Sequence, residues 1–499
     1  MQFKPAPSHI TKIPITYARK YETVPCILDE EGEVLAVSSE TPREIIDEMM
    51  RLTGIKSHRI IPSADITVLI DRAYEMASDK ADYLSSNGIE SDIFELKSRI
   101  DESPDLLDSQ DEAPIIRFVN SMFFRAIRQR ASDIHLEPYS EDFVVRNRID
   151  GVLYNVVTLH MGLHAPVISR IKVMAGLDIA EKRLPQDGRI RVRVGGRDVD
   201  IRVSTVPTSF GERVVLRILD RSSLQLSRED IGMSESHLHS FEKNLKNTTG
   251  IILVTGPTGS GKTTTLYAAL RSLDSMTKNI ITIEDPVEYQ IKGIGQIQVN
   301  PKINLAFANG LRSILRQDPD IIMVGEIRDA ETAEISIQAS LTGHLVLSTL
   351  HTNDSPGAVT RLLDMGIEPF LISSSLEFVL AQRLVRKLCP GCKEEYLPTD
   401  SEAKLIGELA AGRSIYRSSG CSKCFNTGYS GRTGIFEVMP VTDRLKLLIN
   451  EKADGEKIKK AAREDGMEPL RTHGISKVLN GVTTIEEVFR VTSEQSETG

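Results

Sequence analysis

The pattern of apolar and polar residues predicts an α/β domain in the second half of the chain. Four apolar runs of strand length, separated by helical stretches, occur there: GIILVTG, NIITIED, DIIMVGE and HLVLSTLH. Apolar strands that alternate with helices indicate a parallel sheet with helices on both faces. We place this domain at residues 229–385.

The preceding region, residues 115–228, has a different pattern and is predicted to be an α+β domain. It opens with the amphipathic stretch IIRFVNSMFFRAIRQR, and strand-like alternation follows in DFVVRNRIDGVLYNVV and GRIRVRVGGRDVDIRVS. Fifteen arginines lie between residues 115 and 220. In RIRVRV they alternate with apolar residues, so one strand face presents several guanidinium groups. Such groups match the geometry of phosphate oxygens, although most of them could simply form a solvated sheet face.

The N-terminal residues 1–85 predict a small α/β module without a chemical motif. CILDEEGEVLAV is typical of a hairpin. TPREIIDEMMRL predicts a helix with Thr41 as N-cap, Pro42 in the first turn and Glu44 completing a capping box. A structural or docking role is expected for this module. Residues 86–114 are predicted to be an acidic linker, because DESPDLLDSQDEAP has six carboxylates and no basic residue.

Composition and charge exclude several classes of protein. The 499 residues are 40% hydrophobic, which suits a globular protein of three or four domains. There is no apolar stretch of membrane-spanning length, and the first residues do not have the pattern of a secretion signal. A net charge of −9 argues against indiscriminate nucleic-acid binding, which needs a basic footprint. A cytoplasmic protein is therefore expected.

A phosphate-binding loop is the strongest motif in the chain. GPTGSGKT matches G-x4-G-K-[ST], with an apolar strand before it and a helix after it. Backbone N–H groups of such a loop surround the phosphates, Lys262 reaches the β and γ oxygens, and the Thr263 hydroxyl would ligate Mg²⁺. The predicted ATP-binding residues are Gly256, Pro257, Thr258, Gly259, Ser260, Gly261, Lys262, Thr263 and Thr264.

Carboxylates follow two further strands of the predicted sheet. In DPDIIMVGEIRD, Gly325 occupies the position where an Asp is common, and Glu326 is expected to orient the metal-bound water or the Mg²⁺ shell. TIEDPVEY ends another strand at the edge where ligands bind in such folds. Glu284 is our first choice to polarise the attacking water, and Asp285 and Glu288 are expected near Mg²⁺. The alternatives are a buried strand with a polar end and a solvated acidic loop.

Histidines and cysteines complete the candidate chemistry. TGHLVLSTLHTN places His344 and His351 around one strand, from which they are expected to sense the γ-phosphate. CPGC and CSKC form a C-x2-C-x28-C-x2-C pattern, which favours a structural Zn²⁺ site over redox chemistry. The predicted zinc ligands are Cys389, Cys392, Cys421 and Cys424. This subdomain is placed at 386–437, and a helical subdomain follows at 438–499.

Taken together, these motifs resemble the secretion ATPases of the type II secretion and type IV pilus assembly superfamily. The resemblance rests on GPTGSGKTTTLYAAL, TIEDPVEY, RSILRQDPDIIMVGEIRD and LTGHLVLSTLHTN. ASDIHLEP, RIDGVL, RLPQDGRI and STVPTSFGERVVLRIL extend it upstream, and the tetracysteine insert extends it downstream, over about residues 115–490. It implies a RecA-like P-loop domain, a six-subunit ring and catalytic roles for Lys262, Glu284, Glu326, His344 and His351. The charge-stabilising arginines that it suggests are Arg189, Arg202 and Arg217.

The short N-terminal module is similar to that of the type II secretion branch. That branch implies a hexameric ATPase with ATP, Mg²⁺ and Zn²⁺ as cofactors, recruited peripherally to the inner membrane. Residues 1–85 would dock on the cytoplasmic domain of an inner-membrane partner, and ATP hydrolysis would drive assembly of pilin-like subunits into a pseudopilus for protein export. A type IV pilus extension ATPase is the main alternative. A nucleic-acid translocase is less favoured, because the chain is acidic.

Overall fold

The computed structural model describes most of the chain, in two compact units, residues 1–220 and 221–499. The described residues are 4–5, 9, 13, 15–28, 32–63, 65–66, 69–70, 73, 113–194, 197–219, 229–407 and 412–492. The predicted acidic linker lies outside these residues except for its last two positions, which open a helix.

The N-terminal module contains a four-stranded sheet in the order β1-β2-β3-β4. Its strands are β1 (Lys4–Pro5), β2 (Thr23–Leu28), β3 (Gly32–Val37) and β4 (His58–Ile60). Its helices are α1 (Ile15–Lys20) and α2 (Arg43–Thr53). Strands β2 and β3 pair antiparallel, which confirms the predicted hairpin. Val24, Leu35 and Ile46 belong to the apolar core that joins the sheet to α2.

The predicted capping box at the start of α2 is wrong. The helix begins at Arg43, its N-cap residue is Pro42, and no side chain caps it. The Thr41 hydroxyl donates instead to the main-chain oxygen of Tyr21 at 3.0 Å and accepts from the Ser38 N–H at 3.0 Å. This hydroxyl therefore fixes the turn before the helix.

The arginine-rich domain is one six-stranded antiparallel sheet with two helices on one face. The sheet order is β7-β6-β5-β10-β9-β8. Its strands are β5 (Ala131–Pro138), β6 (Asp142–Ile149), β7 (Val152–His160), β8 (Gln186–Val194), β9 (Arg197–Thr208) and β10 (Gly211–Leu219). Helices α3 (Ala113–Arg128) and α4 (His164–Ala175) share one apolar core with the inward side chains of the strands. The predicted α+β arrangement is confirmed.

The second unit is built on a seven-stranded sheet in the order β13-β12-β14-β15-β11-β16-β19. Its strands are β11 (Gly250–Thr255), β12 (Ile280–Glu284), β13 (Gly295–Gln298), β14 (Ile321–Val324), β15 (Leu345–Leu350), β16 (Leu376–Leu388) and β19 (Tyr429–Pro440). All neighbours pair in parallel except β16 and β19. The four strands predicted from apolar runs are buried along their whole length.

Helices cover both faces of this sheet, and two apolar cores result. They are α5 (Glu235–Leu245), α6 (Lys262–Ser272), α7 (Phe307–Ile314), α8 (Ala330–Leu341), α9 (Ser355–Asp364) and α10 (Pro369–Ser375). The C-terminal helices are α12 (Asp443–Asn450), α13 (Gly455–Glu464), α14 (Leu470–Leu479) and α15 (Ile485–Thr492).

The tetracysteine segment is inserted between the last two strands of the sheet. It holds the two-stranded sheet of β17 (Lys393–Tyr396) and β18 (Ile415–Ser418), together with α11 (Asp400–Ile406). The predicted subdomain limits, 386 and 437, fall inside β16 and β19, so the insert is shorter than predicted.

Within the described part of the chain, no helix has both the length and the apolar character that a membrane crossing needs.

Candidate functional site

The phosphate loop lies between the end of β11 and the start of α6, as the motif predicts. Three of its glycines, Gly256, Gly259 and Gly261, have positive φ angles of 147°, 79° and 88°. A Cβ atom on Gly256 would lie 2.5 Å from the main-chain oxygen of Gln382, and one on Gly261 would lie 2.8 Å from its Nε2. Glycine is therefore required both for the turn and for the close approach of β16.

The amino group of Lys262 occupies the concave side of this loop. Its Nζ donates to the main-chain oxygens of Gly256 at 2.7 Å and Pro257 at 3.1 Å. The pKa of Lys262 is lowered to about 8, mainly by burial; the charge of Glu326 opposes this shift, and the charge of Arg383 adds to it. An arriving phosphate would replace the two carbonyl oxygens as the partner of this cation.

The lowered pKa of Lys262 predicts that ATP affinity decreases above pH 8. The charged form is present below about pH 8 and is lost as the pH rises through that value, whereas a bound phosphate favours the charged form. The dissociation constant should therefore rise by at most about tenfold per pH unit above 8, because one proton is taken up on binding. Titrations with a fluorescent ATP analogue across this range test it. Lys262→Arg, which stays charged, should have a flatter profile, and an unchanged slope in that variant would contradict the assignment.

Glu326, His351 and Arg328 meet beside Lys262. Glu326 lies two residues beyond β14, and one carboxylate oxygen pairs with the Arg328 guanidinium. The other oxygen lies 3.5 Å from Nε2 of His351, which directly follows β15. Burial and then the charge of Lys262 lower the pKa of His351, although Glu326 acts in the opposite direction. A neutral imidazole and a carboxylate thus lie near the cation that would hold phosphate.

Glu284 has a different environment, although it also ends a strand of the sheet. It is 3% exposed, and its carboxylate accepts hydrogen bonds from the Tyr267 hydroxyl, from Thr282 Oγ1 at 2.5 Å and from Gln296 Nε2 at 3.2 Å. Burial and the Glu284 carboxylate raise the pKa of Tyr267. Three donors therefore already bind the carboxylate of Glu284, which the sequence favours for water activation. The charge of Glu326, by contrast, acts directly on the pKa of Lys262.

The candidate Mg²⁺ residues lie at the same edge of the sheet. Thr263 is exposed in the first turn of α6, and Asp285 and Glu288 are exposed just beyond β12. Asp285 is near enough to Arg328 for its charge to raise the pKa of that side chain. A hydroxyl and two exposed carboxylates are oxygen donors of the kind that Mg²⁺ prefers, so this donor set fits the ion.

His344 is not at this edge, and its predicted role is corrected. It precedes β15, whereas His351 follows it, and β15 runs parallel to β11 with Leu345 opposite Gly250. Seven residue steps at about 3.3 Å each separate the two histidines by roughly 23 Å. His344 Nδ1 donates to the main-chain oxygen of Ala339 at 2.7 Å. Of these two histidines, only His351 lies at the nucleotide edge of the sheet.

The predicted arginines lie side by side on the helix-free face of the arginine-rich sheet. Arg189 is opposite Arg202, Arg202 is opposite Arg217, and Arg217 is opposite Asp133. Like charges placed opposite one another on a sheet are destabilising. Asp133 neutralises one end of the row, since Arg217 Nε donates to it at 3.0 Å. The rest of the row is suited to an anion.

Buried carboxylates that were not predicted from the sequence support this face. Glu137 accepts from Arg146 at 2.7 Å and from Arg213 at 2.6 Å, and Asp133 binds Arg217. Both acids lie in β5, where Asp133, His135 and Glu137 alternate with apolar residues. The alternation in ASDIHLEP was the available signal, because it places three titratable side chains on one face.

The four predicted zinc ligands are brought together at the base of the insert. Their sulfur atoms lie within 4.8 Å of one another. The Cys389–Cys421 sulfur distance is 3.9 Å, and the Cys392–Cys424 and Cys421–Cys424 distances are 3.7 Å. A tetrahedral site with Zn–S bonds of about 2.3 Å has sulfur–sulfur edges of about 3.8 Å. The cluster therefore fits Zn²⁺.

Backbone donors are already arranged around one of these sulfurs. Burial alone would raise the pKa of Cys424, but the N–H groups of Cys421 and Gly428, each 3.2 Å from its sulfur, contribute to lowering it to about 7. Thiolates are the metal-binding form of cysteine. Cys26, by contrast, is buried in the N-terminal core, and burial raises its pKa to about 12.

Comparisons with known proteins agree with this geometry. Residues 108–490 match the family described as "Type II/IV secretion system protein", and residues 1–79 match the "MshEN domain". The "Type II secretion system ATPase E" of Vibrio cholerae serotype O1 is 52% identical over 493 residues, which cover 97% of each chain. The "Type IV pilus assembly ATPase PilB" of Myxococcus xanthus is 46% identical, over 97% of this chain and 87% of the relative.

Solved structures support the fold. The X-ray structure of the ATPase DotB from Yersinia pseudotuberculosis is similar with a TM-score of 0.55 and 21% identity, over 76% of this chain and 93% of that one. At this identity the similarity concerns the fold alone.

Proposed function

This chain belongs to the Type II/IV secretion system protein family, and from that premise we propose that it is the ATPase that drives protein export in a type II secretion system. It is an ATP hydrolase of the secretion type. The observation that carries the proposal is the meeting of Lys262, Glu326 and His351 at one edge of the sheet. That edge combines a phosphate cradle with a carboxylate able to accept a proton.

The residues of this edge have different roles in ATP hydrolysis. Backbone N–H groups of the phosphate loop and the Lys262 ammonium bind the β- and γ-phosphates. Glu326 orients the attacking water and accepts its proton, and neutral His351, 3.5 Å from that carboxylate, helps to fix its position. Glu284, held by three donors, positions α6 through Tyr267. Bound Mg²⁺ would neutralise phosphate charge, and Thr263, Asp285 and Glu288 are the residues suited to hold it.

The type II branch is favoured over pilus extension by sequence identity. The type II secretion ATPase from Vibrio cholerae is 52% identical to this chain and the pilus assembly ATPase from Myxococcus xanthus 46% identical, each over 97% of this chain. Deleting the gene should therefore stop export of secreted enzymes and leave surface pili intact. Assays of enzyme activity in the culture medium and of pilus-dependent motility separate the two functions; loss of pili with normal export would favour the pilus motor.

The proposed assembly is a homohexameric ring. Turnover is expected to depend on assembly, because arginines supplied across an interface contribute about 10³- to 10⁵-fold in phosphoryl transfer. Specific activity should therefore rise with protein concentration, and Arg202→Ala should lower kcat far more than ATP affinity. Phosphate release and sedimentation at the same concentrations test this prediction.

A matched control exists on the same sheet face. Arg191 lies on β8 two residues from Arg189 and pairs with Asp200 at 3.3 Å with its side chain 87% exposed. Arg191→Ala should leave kcat nearly unchanged, because this guanidinium lies outside the row. Full activity in a monomeric sample, or equal losses in Arg191→Ala and Arg202→Ala, would contradict a specific role for the row.

We further propose that residues 1–85 dock the motor on an inner-membrane partner. The module has its own apolar core, and residues 86–112, which separate it from α3, include an acidic stretch suited to a tether. Deleting residues 1–100 should leave ATP hydrolysis within about twofold and abolish recruitment to membranes that contain the partner. Co-sedimentation beside an ATPase assay tests this prediction. Undiminished co-sedimentation of the truncated chain would place docking elsewhere.

A further inference from the structure

Strand β16 forms a wall of the phosphate site. Its pairing with β11 ends with Ala381 opposite Thr255, one residue before the phosphate loop. The next residue, Gln382, contacts the loop through its main-chain oxygen, and its Oε1 accepts from Thr265 in α6 at 2.7 Å. The side chain of Arg383 therefore starts beside the loop, although no sequence motif predicts a role for it.

Arg383 points to the loop that carries His351. Its side chain is almost completely buried, and Nη2 donates to Oδ1 of Asn353 at 2.9 Å. The same loop is fixed to the end of β11, because the hydroxyls of Thr255 and Thr352 lie 2.7 Å apart. Arg383 is thus held between the phosphate loop and the side of the site where Glu326 and His351 meet.

Two buried cations consequently share this space. The charge of Arg383 is one cause of the lowered pKa of Lys262, after burial itself. Like charges in a poorly solvated site disfavour each other, and an anion that contacts both relieves the repulsion. The Lys262 ammonium faces the loop carbonyls where the β-phosphate would lie. The Arg383 side chain is directed towards Asn353, two residues beyond His351, which lies against Glu326.

We propose that Arg383 is a second cation of the phosphate site, which contacts the γ-phosphate and gives the site its preference for a triphosphate over a diphosphate. The inference rests on the proposed function of this site. A guanidinium has five N–H donors in a rigid fork, so Arg383 can keep its bond to Asn353 while another N–H binds a phosphate oxygen. Through the bond between Arg383 and Asn353, the loop that carries His351 would thereby respond directly to a bound γ-phosphate.

The test compares two nucleotides in the full-length protein. Affinities for fluorescent ADP and for a non-hydrolysable fluorescent ATP analogue are measured with Mg²⁺ for the wild type, Arg383→Gln and Arg383→Lys. Losing one hydrogen bond to a charged group should reduce the preference for the triphosphate roughly 10- to 100-fold in Arg383→Gln. ADP affinity should stay within about threefold, and Arg383→Lys should recover part of the preference because it restores the charge.

Asn353→Ala separates contact with phosphate from positioning of the loop. It should keep most of the preference, since the guanidinium remains. An equal loss in Asn353→Ala and Arg383→Gln would overturn the proposal, and so would an unchanged preference in Arg383→Gln. If Arg383→Gln does not fold, Arg383→Lys tests the proposal alone. A preference for the triphosphate that equals that of the wild type, or is reduced but still present, supports a role for the charge at this position. Complete loss of that preference overturns the proposal. A wild type that hydrolyses no ATP would instead refute the proposed function.

Discussion

Glu326→Gln is expected to lower kcat for ATP hydrolysis about 10²- to 10⁴-fold while ATP still binds. The amide keeps the shape of the side chain but cannot accept the proton of the attacking water. Lys262, which holds the phosphate, is unchanged in this variant. Binding of a fluorescent ATP analogue and phosphate release, measured on the same preparation, separate the two effects. Lys262→Ala is the complementary variant and should weaken binding itself, because the phosphate loses its cation.

Glu284→Gln provides the decisive contrast. Its amide would face the Tyr267 and Gln296 donors, so it should reduce thermal stability and lower kcat less than Glu326→Gln does. The opposite order, with Glu284→Gln folded but nearly inactive and Glu326→Gln active, would assign water activation to Glu284, as the sequence alone suggested. Equal loss of ATP binding in both variants would remove both residues from the chemical step.

Replacing Cys421 and Cys424 together with serine is expected to remove one equivalent of zinc and the local order of residues 389–428. Structural zinc in small modules contributes about 10–16 kcal/mol of binding free energy, and the two-stranded sheet of the insert is too small to be stable alone. Elemental analysis, thiol titration and limited proteolysis measure the metal, the free sulfurs and the order. The seven-stranded sheet should persist, because its strands flank the insert.

Cys26→Ala is the matched control for this variant. Cys26 is buried in the N-terminal core and has no part in the cluster, so the variant should keep its zinc and protease resistance in the insert. Purified wild type that contains no zinc and has its four cysteines paired as disulfides would contradict the zinc site. Loss of zinc in Cys26→Ala would show that metal retention depends on the whole fold rather than on the four ligands.

Local signals account for what the sequence predicted well. The phosphate loop is a continuous motif with its own strand and helix, and four strands buried on both faces appear as apolar runs. Strand β16 was not predicted as part of the sheet, because LEFVLAQRLVRKL mixes arginines and lysine with its apolar residues. Strand β13, with the sequence GQIQ, is too short and too polar to be predicted.

The site residues that the sequence missed depend on distant contacts. Arg383 bonds to a residue 30 positions away, and Gln382 bonds to one 117 positions away, so no local spacing reveals either. His344 was misplaced for the opposite reason. Its short sequence distance from His351 suggested one site, but the two histidines lie at opposite ends of the extended strand β15.

The position of β11 in the interior of its sheet has a consequence for synthesis on the ribosome. Both of its neighbours, β15 and β16, come later in the chain, and Thr255 bonds to Leu350 across 95 residues. At translation rates of about 5–20 residues per second, the phosphate-loop strand waits roughly 5–20 s without a pairing partner. A nascent chain at this stage exposes an apolar strand with two open edges, which is prone to aggregate. Nucleotide therefore cannot assist folding until this delay has passed, and the unfinished strand is where chaperones would be needed.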